Sequence, residues 1–457
     1  MYKKHPFCSV VILNYFGEKI IEQTVKSLLR LDYPQDKFEI IIIDNNSKDK
    51  SKSIISELVK IHKNIRYSFL DKNLGFAAGN NVGIRLSKGK YVALLNNDCV
   101  VDTKWLCEIV KTAEKDDKVF AVNSKILLYP VFFRLDLYKP HGLTLESAHL
   151  IESNLLKYSN KNKIELHFRE RNEIISFDIP FILDCPDSVE IILTFKKNKF
   201  SFLQTKYIKT ANIPQSSLKE IKRKKSTHHN ISFHYKLSLE KFNLRTISFK
   251  KIQNAGILVF QDGYGRDIGA NIRSQRQDFE RDSNQYQKEK EVYAACGAAV
   301  LYRTDILKKI GCLNEDFFMY YEDVDLSERA HLCGYKIVYS PKAIVKHLHA
   351  ASSGEWSLFF LYHAERGRLL HVFFNFPLSV FIYEYIKFTF RSVMRFLNQL
   401  SCFKCCRNNY TYIVICVSLL IDFPHLLKRK KYYSCLFPRF AIQQNYQKIL
   451  SGYWYTK

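Results

Sequence analysis

Apolar and polar positions follow two different periods along the first part of the chain. Four apolar runs have the length of β-strands: Cys8 to Asn14, Phe38 to Asp44, Ile65 to Leu70 and Tyr91 to Leu95. The stretches between them repeat apolar residues at helical spacing: Glu18 to Leu31, Ser51 to His62 and Asn80 to Ser87. This order predicts an α/β fold in which a mostly parallel sheet carries helices on both faces.

Polar side chains stand where these strands end. Asn14 and Asp44 close the first two strands, and Asp98 follows the fourth after Asn96 and Asn97. Ligands of such sheets bind beyond the carboxyl ends of the strands. We therefore expect a ligand site at this edge.

Between about Leu128 and Ile252 the period changes to two. The alternating segments are Ile174 to Phe181, Val189 to Phe195, Phe200 to Ile208, Ile231 to Leu237 and Leu244 to Phe249. They predict an antiparallel β unit. The α/β order resumes at Gln253, with a strand at Ala294 to Tyr302 and a helix at Asp305 to Gly311. We therefore interpret the β unit as an insertion, and the sequence leaves its role open.

The chain thus divides into four predicted segments. Residues 1–128 and 253–376 form the two halves of the α/β domain, residues 129–252 the β-rich insertion, and residues 377–457 a basic amphipathic helical tail. A chain of 457 residues has room for two or three domains.

The tail carries 12 Lys and Arg residues but only Glu384 and Asp422 as acids, and the whole chain has a formal charge of +25. Such a charge attracts anionic partners. Because the tail interleaves its basic residues with aromatic and aliphatic runs, it indicates an anionic membrane surface and not nucleic acid. The most apolar run, Tyr410 to Ile421, is shorter than the roughly 18 residues of a spanning helix, so we expect helices lying in the membrane interface.

The first tail helix is predicted to face lipid through apolar residues at roughly helical spacing. These are Phe381, Tyr385, Phe388 and Val393, with Lys387, Arg391 and Arg395 offset from them and Lys428 to Lys431 following a later apolar run. The alternative is that these helices pack on the catalytic sheet or on a second copy of the chain. The sequence does not determine the oligomeric state.

Cysteine usage and the start of the chain indicate a compartment. The 12 cysteines do not form paired Cys-x-x-Cys elements with histidines behind them, so a zinc module is not expected. The chain opens with Lys3, Lys4, His5 and Pro6 and not with an export signal. We expect a cytoplasmic protein that is peripheral on the inner face of the cytoplasmic membrane.

The densest candidate chemistry is the segment Phe317 to Leu326, where four aromatic residues and a methionine precede Glu322, Asp323 and Asp325. A carboxylate among apolar side chains loses water and keeps its basicity, as a general base requires. The alternative is an acidic first turn of a helix, which the helix dipole favours.

Other candidates are weaker when each is taken alone. Asp44 suits the hydroxyls of a ribose or caps the next helix, and Asp98 suits Mg²⁺ or Mn²⁺ against a diphosphate or belongs to a turn. The small-residue segment Asn73 to Asn81 is interpreted as a loop that lets a ligand approach the backbone before a helix begins. His347 and His349 lie on a predicted loop past a strand, where either is a metal ligand or a structural histidine.

Taken together, the order of these motifs resembles the family 2 glycosyltransferases, most closely their rhamnosyltransferase-like branch. The motifs are Val10 to Asn14, Asp44 to Ser47, Asn73 to Asn81, Asn96 to Asp98, Gln253 to Gly256, Cys296 to Ala299, Phe317 to Leu326, Gly334 to Tyr335, and Pro341 to Ala343 with His347. The resemblance covers Cys8 to about Leu128 and Gln253 to about Pro377. It implies a nucleotide-binding sheet of the GT-A type.

The resemblance also implies roles for individual residues. Asp98 and His347 would hold Mg²⁺ or Mn²⁺ and the diphosphate, and Asp323 would be the catalytic base with Glu322 beside it. The residues expected to bind the nucleotide sugar are Asn14, Asp44, Asn46, Asn73, Gly75, Asn80 and Asn97.

Two positions depart from the family pattern. Asn96 stands where the family has the first carboxylate of its metal motif, and Arg366 is followed by Gly367 where the family has Arg-Asn. The expected activity is an inverting transfer of a hexose or deoxyhexose, for example from dTDP-rhamnose, to a hydroxyl of a cell-surface glycan or its lipid-linked precursor. The alternatives are a nucleotidyltransferase on a related fold and a catalytically silent carbohydrate-binding protein.

Overall fold

The structure is a computed structural model of the chain. It describes residues 5–138, 143–152, 164–166, 168–171, 174–181, 188–197, 218–225, 230–238, 249–271, 278–348, 357–401 and 407–456. The chain forms two compact units. The first comprises residues 1–127, 253–270 and 284–457, and the second comprises residues 128–252 and 271–283.

The first unit is an α/β domain followed by helices. Its strands are β1 Cys8–Asn14, β2 Phe38–Asp44, β3 Ile65–Phe69, β4 Tyr91–Asn96, β5 Cys99–Val101, β6 Val119–Leu128, β16 Ile257–Val259, β17 Gly265–Asp267, β20 Lys290–Glu291, β21 Ala299–Arg303 and β22 Lys336–His347. Its helices are α1 Ile21–Leu29, α2 Ser51–Ile61, α3 Gly75–Leu86, α4 Trp105–Ala113, α5 Thr304–Ile310, α6 Glu322–Leu332, α7 Leu358–Asn375, α8 Leu378–Ser401, α9 Arg407–Leu436, α10 Arg439–Leu450 and α11 Tyr453–Thr456.

Four parallel strands form one half of the central sheet in the order β4, β1, β2, β3. Every residue of β2 is buried, which explains why Phe38–Asp44 reads as a continuous apolar run. The register pairs Asn14 with Asp44 and Leu13 with Asn96. The polar residues that end these strands therefore meet at one edge of the sheet.

Antiparallel strands continue the sheet on the other side of β4. Strand β21 pairs with β4 and with β6, and β22 pairs with β5 so that His347 lies opposite Cys99. The predicted fold class is confirmed at the level of architecture: it is α/β, with a mostly parallel sheet, additional antiparallel β-sheets and C-terminal helices. The four segment boundaries stay predictions.

The second unit consists of antiparallel β-structure. One sheet has the order β10, β11, β7 and the other the order β13, β14, β12, β8, β9. Their bounds are β7 Val131–Tyr138, β8 Leu143–Glu152, β9 Ile164–Glu165, β10 Phe168–Arg171, β11 Ile174–Phe181, β12 Ser188–Lys197, β13 Leu218–Lys225 and β14 Asn230–Ser238. Strand β19 Asp278–Arg281 also belongs to the second unit, whereas β15 Lys251–Asn254 and β18 Ala270–Asn271 each have residues in both units. Of the alternating segments, residues 200–208 and 244–248 lie outside the described residues.

Two elements differ from their predicted form. Helix α3 begins at Gly75 and not at Asn80, so most of the predicted loop from Asn73 to Asn81 is helical. Strand β22 continues through Pro341 to His347, which therefore lies at a strand end and not on a loop. His349 lies outside the described residues.

Helix α9 extends past Asp422 and His425 and contains Pro424. Within the described ranges it is the one helix with a stretch long and apolar enough to cross a membrane. That stretch is Tyr410–Tyr433; its most apolar window of 18 residues has a mean hydropathy of 1.7, and 22% of that window is buried.

Candidate active site

Asn14 and Asp44 are joined at the carboxyl ends of β1 and β2. The Asn14 amide Nδ2 donates to Asp44 Oδ2 at 2.8 Å, and the other Asp44 oxygen accepts from the Ser47 backbone N–H at 2.9 Å. Asn97 Nδ2 donates to Asn14 Oδ1 at 2.9 Å. Asn14 and Asp44 are buried, so these bonds hold the carboxylate of Asp44 in a fixed orientation at the sheet edge.

Asn45 connects this edge to the start of α3. Its Nδ2 donates to Asn73 Oδ1 at 2.8 Å and to the Gly75 carbonyl at 3.1 Å, and its Oδ1 accepts from the Leu74 N–H at 2.9 Å. The amide of Asn45 is thus fully used in holding the turn of Asn73 and Gly75. The sequence motif contained Asn45, but it was not among the predicted site residues.

Gly75 is required by a close contact. Its φ is +81°, and a Cβ added there would lie 2.5 Å from the Phe318 carbonyl oxygen. The same oxygen accepts from the Phe76 N–H at 2.6 Å. Because Phe318 lies just before the acidic residues of α6, this contact brings the segment before α6 against the start of α3.

Asn81 makes a second link of the same kind. It donates to the Leu313 carbonyl at 2.8 Å and to Glu315 at 2.9 Å, and it accepts from the Leu313 N–H at 3.1 Å. By contrast, the predicted residue Asn80 donates to the Phe76 carbonyl one turn earlier in its own helix, at 3.0 Å. Asn46 adopts a left-handed φ of 65° and accepts a hydrogen bond from Lys48. Within the described part of the chain, the side chains of Asn80 and Asn46 make these hydrogen bonds and not hydrogen bonds to the other predicted site residues.

A carboxylate, a thiol and an imidazole converge past the end of β4. The ligand atoms of Asp98, Cys99 and His347 lie within 4.8 Å of one another, and all three residues are buried. His347 Nε2 lies 2.9 Å from Asp98 Oδ1 and 3.5 Å from the Asn96 amide. Asp98 and His347 are the two residues that the sequence predicted as metal ligands.

Gln253 fixes the tautomer of the His347 ring. The Gln253 carbonyl oxygen Oε1 lies 2.8 Å from His347 Nδ1, so Nδ1 carries the hydrogen and Nε2 faces Asp98. Metal-binding histidines commonly have such a partner, which fixes the tautomer. Cys99 is different, because its thiol points to the Ala298 carbonyl at 3.6 Å and burial raises its pKa. A neutral thiol is a poor ligand, so Asp98 and His347 are the candidate cation ligands.

Asp323 lies in the first turn of α6. Its Oδ2 accepts from the Gly297 N–H and its Oδ1 from the Val324 N–H, both at 2.8 Å. Burial raises the pKa of Asp323 to about 6, the two backbone N–H groups oppose this shift, and the charge of Asp267 adds to it. A carboxyl group with this pKa is mostly ionised at neutral pH and is a stronger base than an exposed aspartate.

Glu322 is more deeply enclosed, with 4% of its surface exposed. Burial, followed by the neighbouring charge of Asp323, raises its pKa well above the ordinary range. Glu322 therefore retains its proton to higher pH than Asp323 does. Of the two predicted catalytic residues, Asp323 is the one available as a base.

The third acid of the segment is structural. Asp325 accepts from Arg329 Nε at 2.9 Å and from Asn375 at 2.8 Å, and both members of the ion pair are buried. Arg329 also donates to the carbonyls of Ile310, Gly311 and Cys312. This pair fixes α6 to the preceding segment and to α7.

The segment Gly297 and Ala298 connects the acid to the cation site. Gly297 donates to Asp323, whereas the adjacent Ala298 carbonyl accepts from the Asn96 N–H at 2.9 Å and from the Cys99 thiol. The candidate base Asp323 and the candidate metal ligand Asp98 are therefore brought together by one short segment, although more than 200 residues separate them in sequence.

The sequence did not predict a hydrogen-bond network that lies close to Asp323. Asn123 donates to Asn254 Oδ1 at 3.0 Å, and Asn254 donates to Asp267 at 2.8 Å. Asn123 Oδ1 accepts from the Cys296 N–H at 2.7 Å. Asn254 occurs in a motif of the sequence, but no local pattern marks Asp267, which acts on Asp323 through its charge.

Part of the chain is similar in sequence to a known protein family. Residues 9–166 match the sequence profile of Glycosyl transferase family 2. This part of the chain is therefore similar to Glycosyl transferase family 2 domains. The rhamnosyltransferase-like branch is a finer assignment that the match does not make.

Curated relatives of the chain are glycosyltransferases. An uncharacterized glycosyltransferase of Haemophilus influenzae is 32% identical over 26% of this chain and 36% of its own length. Glycosyltransferase AglE of Haloferax volcanii is 32% identical over 23% of this chain and 35% of its own length. A second Haemophilus influenzae glycosyltransferase is 25% identical over 44% of this chain and 79% of its own length. The chain thus spans about a third of the length of the first two. The relatives support sugar transfer and not the nucleotidyltransferase alternative.

Solved structures of glycosyltransferases also align with the chain. The mannosyltransferase PcManGT from Pyrobaculum calidifontis, in complex with GDP-Man and Mn²⁺, is 10% identical, with a TM-score of 0.42, over 98% of this chain and 88% of its own. S. aureus TarS 1–349 is 15% identical, with a TM-score of 0.40, over 99% of this chain and 92% of its own.

Proposed function

We propose that this chain is an inverting glycosyltransferase that moves a sugar from a nucleoside diphosphate sugar to a hydroxyl group. The observation that supports this most is the link through Gly297 and Ala298, which sets the base candidate Asp323 beside the cation ligands Asp98 and His347. A base and a cation site at one strand edge suit the two ends of a displacement, where a proton leaves the acceptor and a diphosphate leaves the donor.

The cation site fits Mg²⁺ or Mn²⁺. Asp98 offers an anionic oxygen and His347 a nitrogen whose tautomer Gln253 fixes. Two protein ligands suffice where the diphosphate supplies further oxygens. When bound, the cation neutralises the charge that develops on the departing diphosphate.

Asp323 acts at the other end of the reaction. It accepts the proton of the acceptor hydroxyl as the oxygen bonds to the anomeric carbon, and the bond from that carbon to the diphosphate oxygen breaks in the same displacement. The products are the extended acceptor with inverted configuration, the nucleoside diphosphate and a protonated Asp323. Glu322, which retains its proton, does not compete as a base.

The donor side is assigned to the edge formed by β1, β2 and α3. Asp44 receives the nucleoside, because it is the anionic group that the Asn14 and Ser47 bonds orient there. Asn97, Asn73 and Gly75 surround the same edge. A deoxyhexose donor of the dTDP-rhamnose kind remains the finer proposal, since it depends on the order of sequence motifs alone.

The acceptor is proposed to be a cell-surface glycan or its lipid-linked precursor, reached from the inner face of the cytoplasmic membrane. The support is the surface of α8 and α9. Large apolar side chains are exposed there, namely Leu378, Ile382, Tyr383, Ile386, Phe390, Met394, Val414, Val417, Leu420 and Ile421. Basic residues Arg391, Arg395, Lys428 and Lys431 are exposed on the same helices. Apolar and basic residues on the same helices favour an anionic lipid surface.

Asp323→Asn tests the proposed chemistry. The variant should bind nucleoside diphosphate with Mn²⁺ as the wild type does but transfer sugar about 10²–10⁴ times more slowly, because it lacks the base. Glu322→Gln is the matched control and should keep most of the activity. Screening nucleotide sugars by product release identifies the donor. Equal sugar transfer by Asp323→Asn and the wild type would refute Asp323 as the base. Absence of both Mn²⁺-dependent nucleotide binding and sugar transfer in the wild type would refute the proposal and leave a silent carbohydrate-binding protein as the alternative.

A further inference from the structure

A cavity outside the catalytic residues lies between the turn of residues 260–264 and the end of α10. It has a volume of about 440 Å³, and its walls include Phe260, Gln261, Asp262, Tyr264, Ile449 and Leu450. This is within the usual range for small-molecule sites, about 300–1,000 Å³. The walls combine an aromatic ring, a carboxylate, an amide and aliphatic side chains.

Tyr264 presents a fixed aromatic ring to this cavity. Tyr264 is 41% exposed as a residue, yet its hydroxyl donates to both oxygens of Glu365 at 2.9 and 3.0 Å. The Arg368 guanidinium lies 4.4 Å from the ring centroid. An exposed ring held at both its hydroxyl and its face loses little freedom when it binds a ligand.

The turn that carries Tyr264 is equally fixed. Phe260 N donates to the Tyr264 carbonyl at 2.9 Å, and Arg368 donates to the Asp262 carbonyl at 2.8 Å. Gly263 has a φ of +80°, and a Cβ there would lie 2.2 Å from Val372. The turn is therefore pressed against α7, and the Asp262 and Gln261 side chains have a rigid support.

Strand β17 connects this turn to the reaction centre. Next to Tyr264, the Gly265 N–H donates to the Tyr321 hydroxyl at 3.0 Å, and Tyr321 precedes Asp323 by two positions. At the other end of β17, Asp267 acts on Asp323 through its charge. The three steps from Tyr264 to Asp267 span about 10 Å at about 3.3 Å per residue.

We propose that the cavity is a binding subsite for a sugar ring of the acceptor glycan, distal to the hydroxyl that reacts. The apolar face of a pyranose packs on the Tyr264 ring, while the Asp262 carboxylate and the Gln261 amide bind its hydroxyls. This inference depends on the proposed function and adds that the acceptor is longer than one sugar unit.

Binding of oligosaccharides to the full chain, measured without donor, tests the subsite independently of turnover. The probes are mono- to tetrasaccharides of glucose, galactose, mannose, rhamnose and N-acetylglucosamine, with affinity measured by calorimetry. We expect wild-type affinity to rise from the monosaccharide to longer members of one series. Tyr264→Ala should weaken that binding about tenfold or more, because the aromatic platform is lost. Tyr264→Phe, which keeps the ring, should stay within about twofold of the wild type.

Control variants make the result specific. Tyr138→Ala removes an exposed tyrosine of the second unit and should leave affinity unchanged, and thermal melting should show that each variant is folded. Dodecyl maltoside beside maltose separates a sugar site from a lipid site. The subsite is refuted if no oligosaccharide binds the wild type, or if Tyr264→Ala binds oligosaccharides like the wild type. It is also refuted if Tyr264→Phe and Tyr264→Ala lose affinity equally. The same holds if substitution of Tyr264 changes the binding of dodecyl maltoside but not of maltose.

The transfer reaction gives a separate readout. With an active donor, Tyr264→Ala should raise the acceptor KM about tenfold and leave the donor KM unchanged. If oligosaccharides bind through Tyr264 but no sugar is transferred, the proposed function fails while the subsite stands. If transfer occurs with an acceptor KM that Tyr264→Ala does not change, the proposed function stands and the subsite fails.

Discussion

Glu322 and Asp323 are neighbouring carboxyl groups in one helical turn, but their surroundings separate their chemistry. Asp323 accepts two backbone hydrogen bonds, which favour its ionised form, whereas Glu322 Oε2 has no hydrogen-bond partner within the described part of the chain. Burial acts on both groups. In the proposed mechanism, the two N–H groups favour Asp323 over Glu322 as the base.

The raised pKa of Asp323 predicts the pH dependence of the reaction. A base must be ionised, so the rate should fall as the pH drops below about 6, by about tenfold per pH unit, and should be level above it. The pH profile of kcat/KM measures this limb. Asp267→Asn should move the limb to lower pH, because the charge of Asp267 raises the pKa of Asp323.

Glu322→Gln is the control for this assignment. The limb near pH 6 should persist in that variant, since Asp323 is the proposed base. A profile that loses its acidic limb in Glu322→Gln but keeps it in Asp323→Asn would reverse the two roles.

Asp98→Ala is expected to abolish Mn²⁺-dependent binding of nucleoside diphosphate. Asn96 and Asn97 cannot replace an anionic oxygen ligand. Calorimetry with UDP, GDP and dTDP, with and without Mn²⁺, measures the effect.

Gln253→Leu should weaken Mn²⁺ binding about 10–100-fold, because His347 loses the partner that fixes its tautomer. Cys99→Ala is the matched control, and its metal affinity should not change. Nucleotide binding by Asp98→Ala that still responds to Mn²⁺ would exclude the cation site.

Residues at strand ends were predictable, and residues that depend on long-range contacts were not. Asn14 and Asp44 end apolar strands and are paired by the parallel register, and Asp98 follows the end of β4 two residues after Asn96, which pairs with Leu13. Asn81 and Asp267 carry no such local mark, because their partners lie in distant parts of the sequence. Asn80, which the motif favoured, faces the carbonyl of its own helix instead.

At the scale of elements, period and length identified most strands and helices of the sheet. The predicted bounds of β1 and β2 are those of the structure, because a buried parallel strand is apolar throughout. Helix α3 was predicted too short, since its first turn is rich in glycine and alanine and lacks the apolar repeat. Contact with Phe318, and not helix propensity, determines where α3 starts.

Removal of residues 130–250 tests whether the β unit is an independent insertion. The first unit comprises the strands and helices on both sides of these residues, so a chain rejoined through a short Gly-Ser linker should remain soluble and bind nucleoside diphosphate with Mn²⁺. Calorimetry and thermal melting measure these properties.

Residues 271–283 provide the control, because they belong to the second unit although they follow residue 253 in sequence. A second deletion that also replaces them with a Gly-Ser linker should be at least as soluble as the first. Insoluble protein from both deletions, or loss of nucleotide binding in both, would mean that the β unit completes the core.

At the scale of the whole molecule, the tail helices have both an inner and an outer face. Phe381 and Phe388, which the sequence assigned to lipid, are buried in a core cluster with Ile415 and Leu419, so that assignment was wrong. Tyr385 packs against the same cluster, and of the predicted face only Val393 is exposed. Lys430 donates inward to the Phe373 carbonyl and Arg429 pairs with Asp316. The pattern failed here because both faces of α8 are apolar, and helical spacing alone cannot tell which one packs.

The outer face is the basis of the last prediction, that the chain docks on anionic membranes. The full chain should float with liposomes that contain phosphatidylserine and be released at high salt, because each basic group near the surface adds only about 1 kcal/mol and is screened. Truncation at Phe376 is a poor test, since it removes the core residues Phe381 and Phe388. Replacing the exposed Ile382, Ile386 and Phe390 by serine removes lipid contacts without opening the core and should abolish flotation. Serine at Ile61, Tyr67 and Leu86, three exposed positions of the α/β part, is the control and should change nothing. Equal flotation of both triple variants, or no flotation of the wild type, would exclude docking through this face. Retention of the chain on the liposomes after an alkaline wash would instead indicate that Tyr410–Tyr433 spans the bilayer.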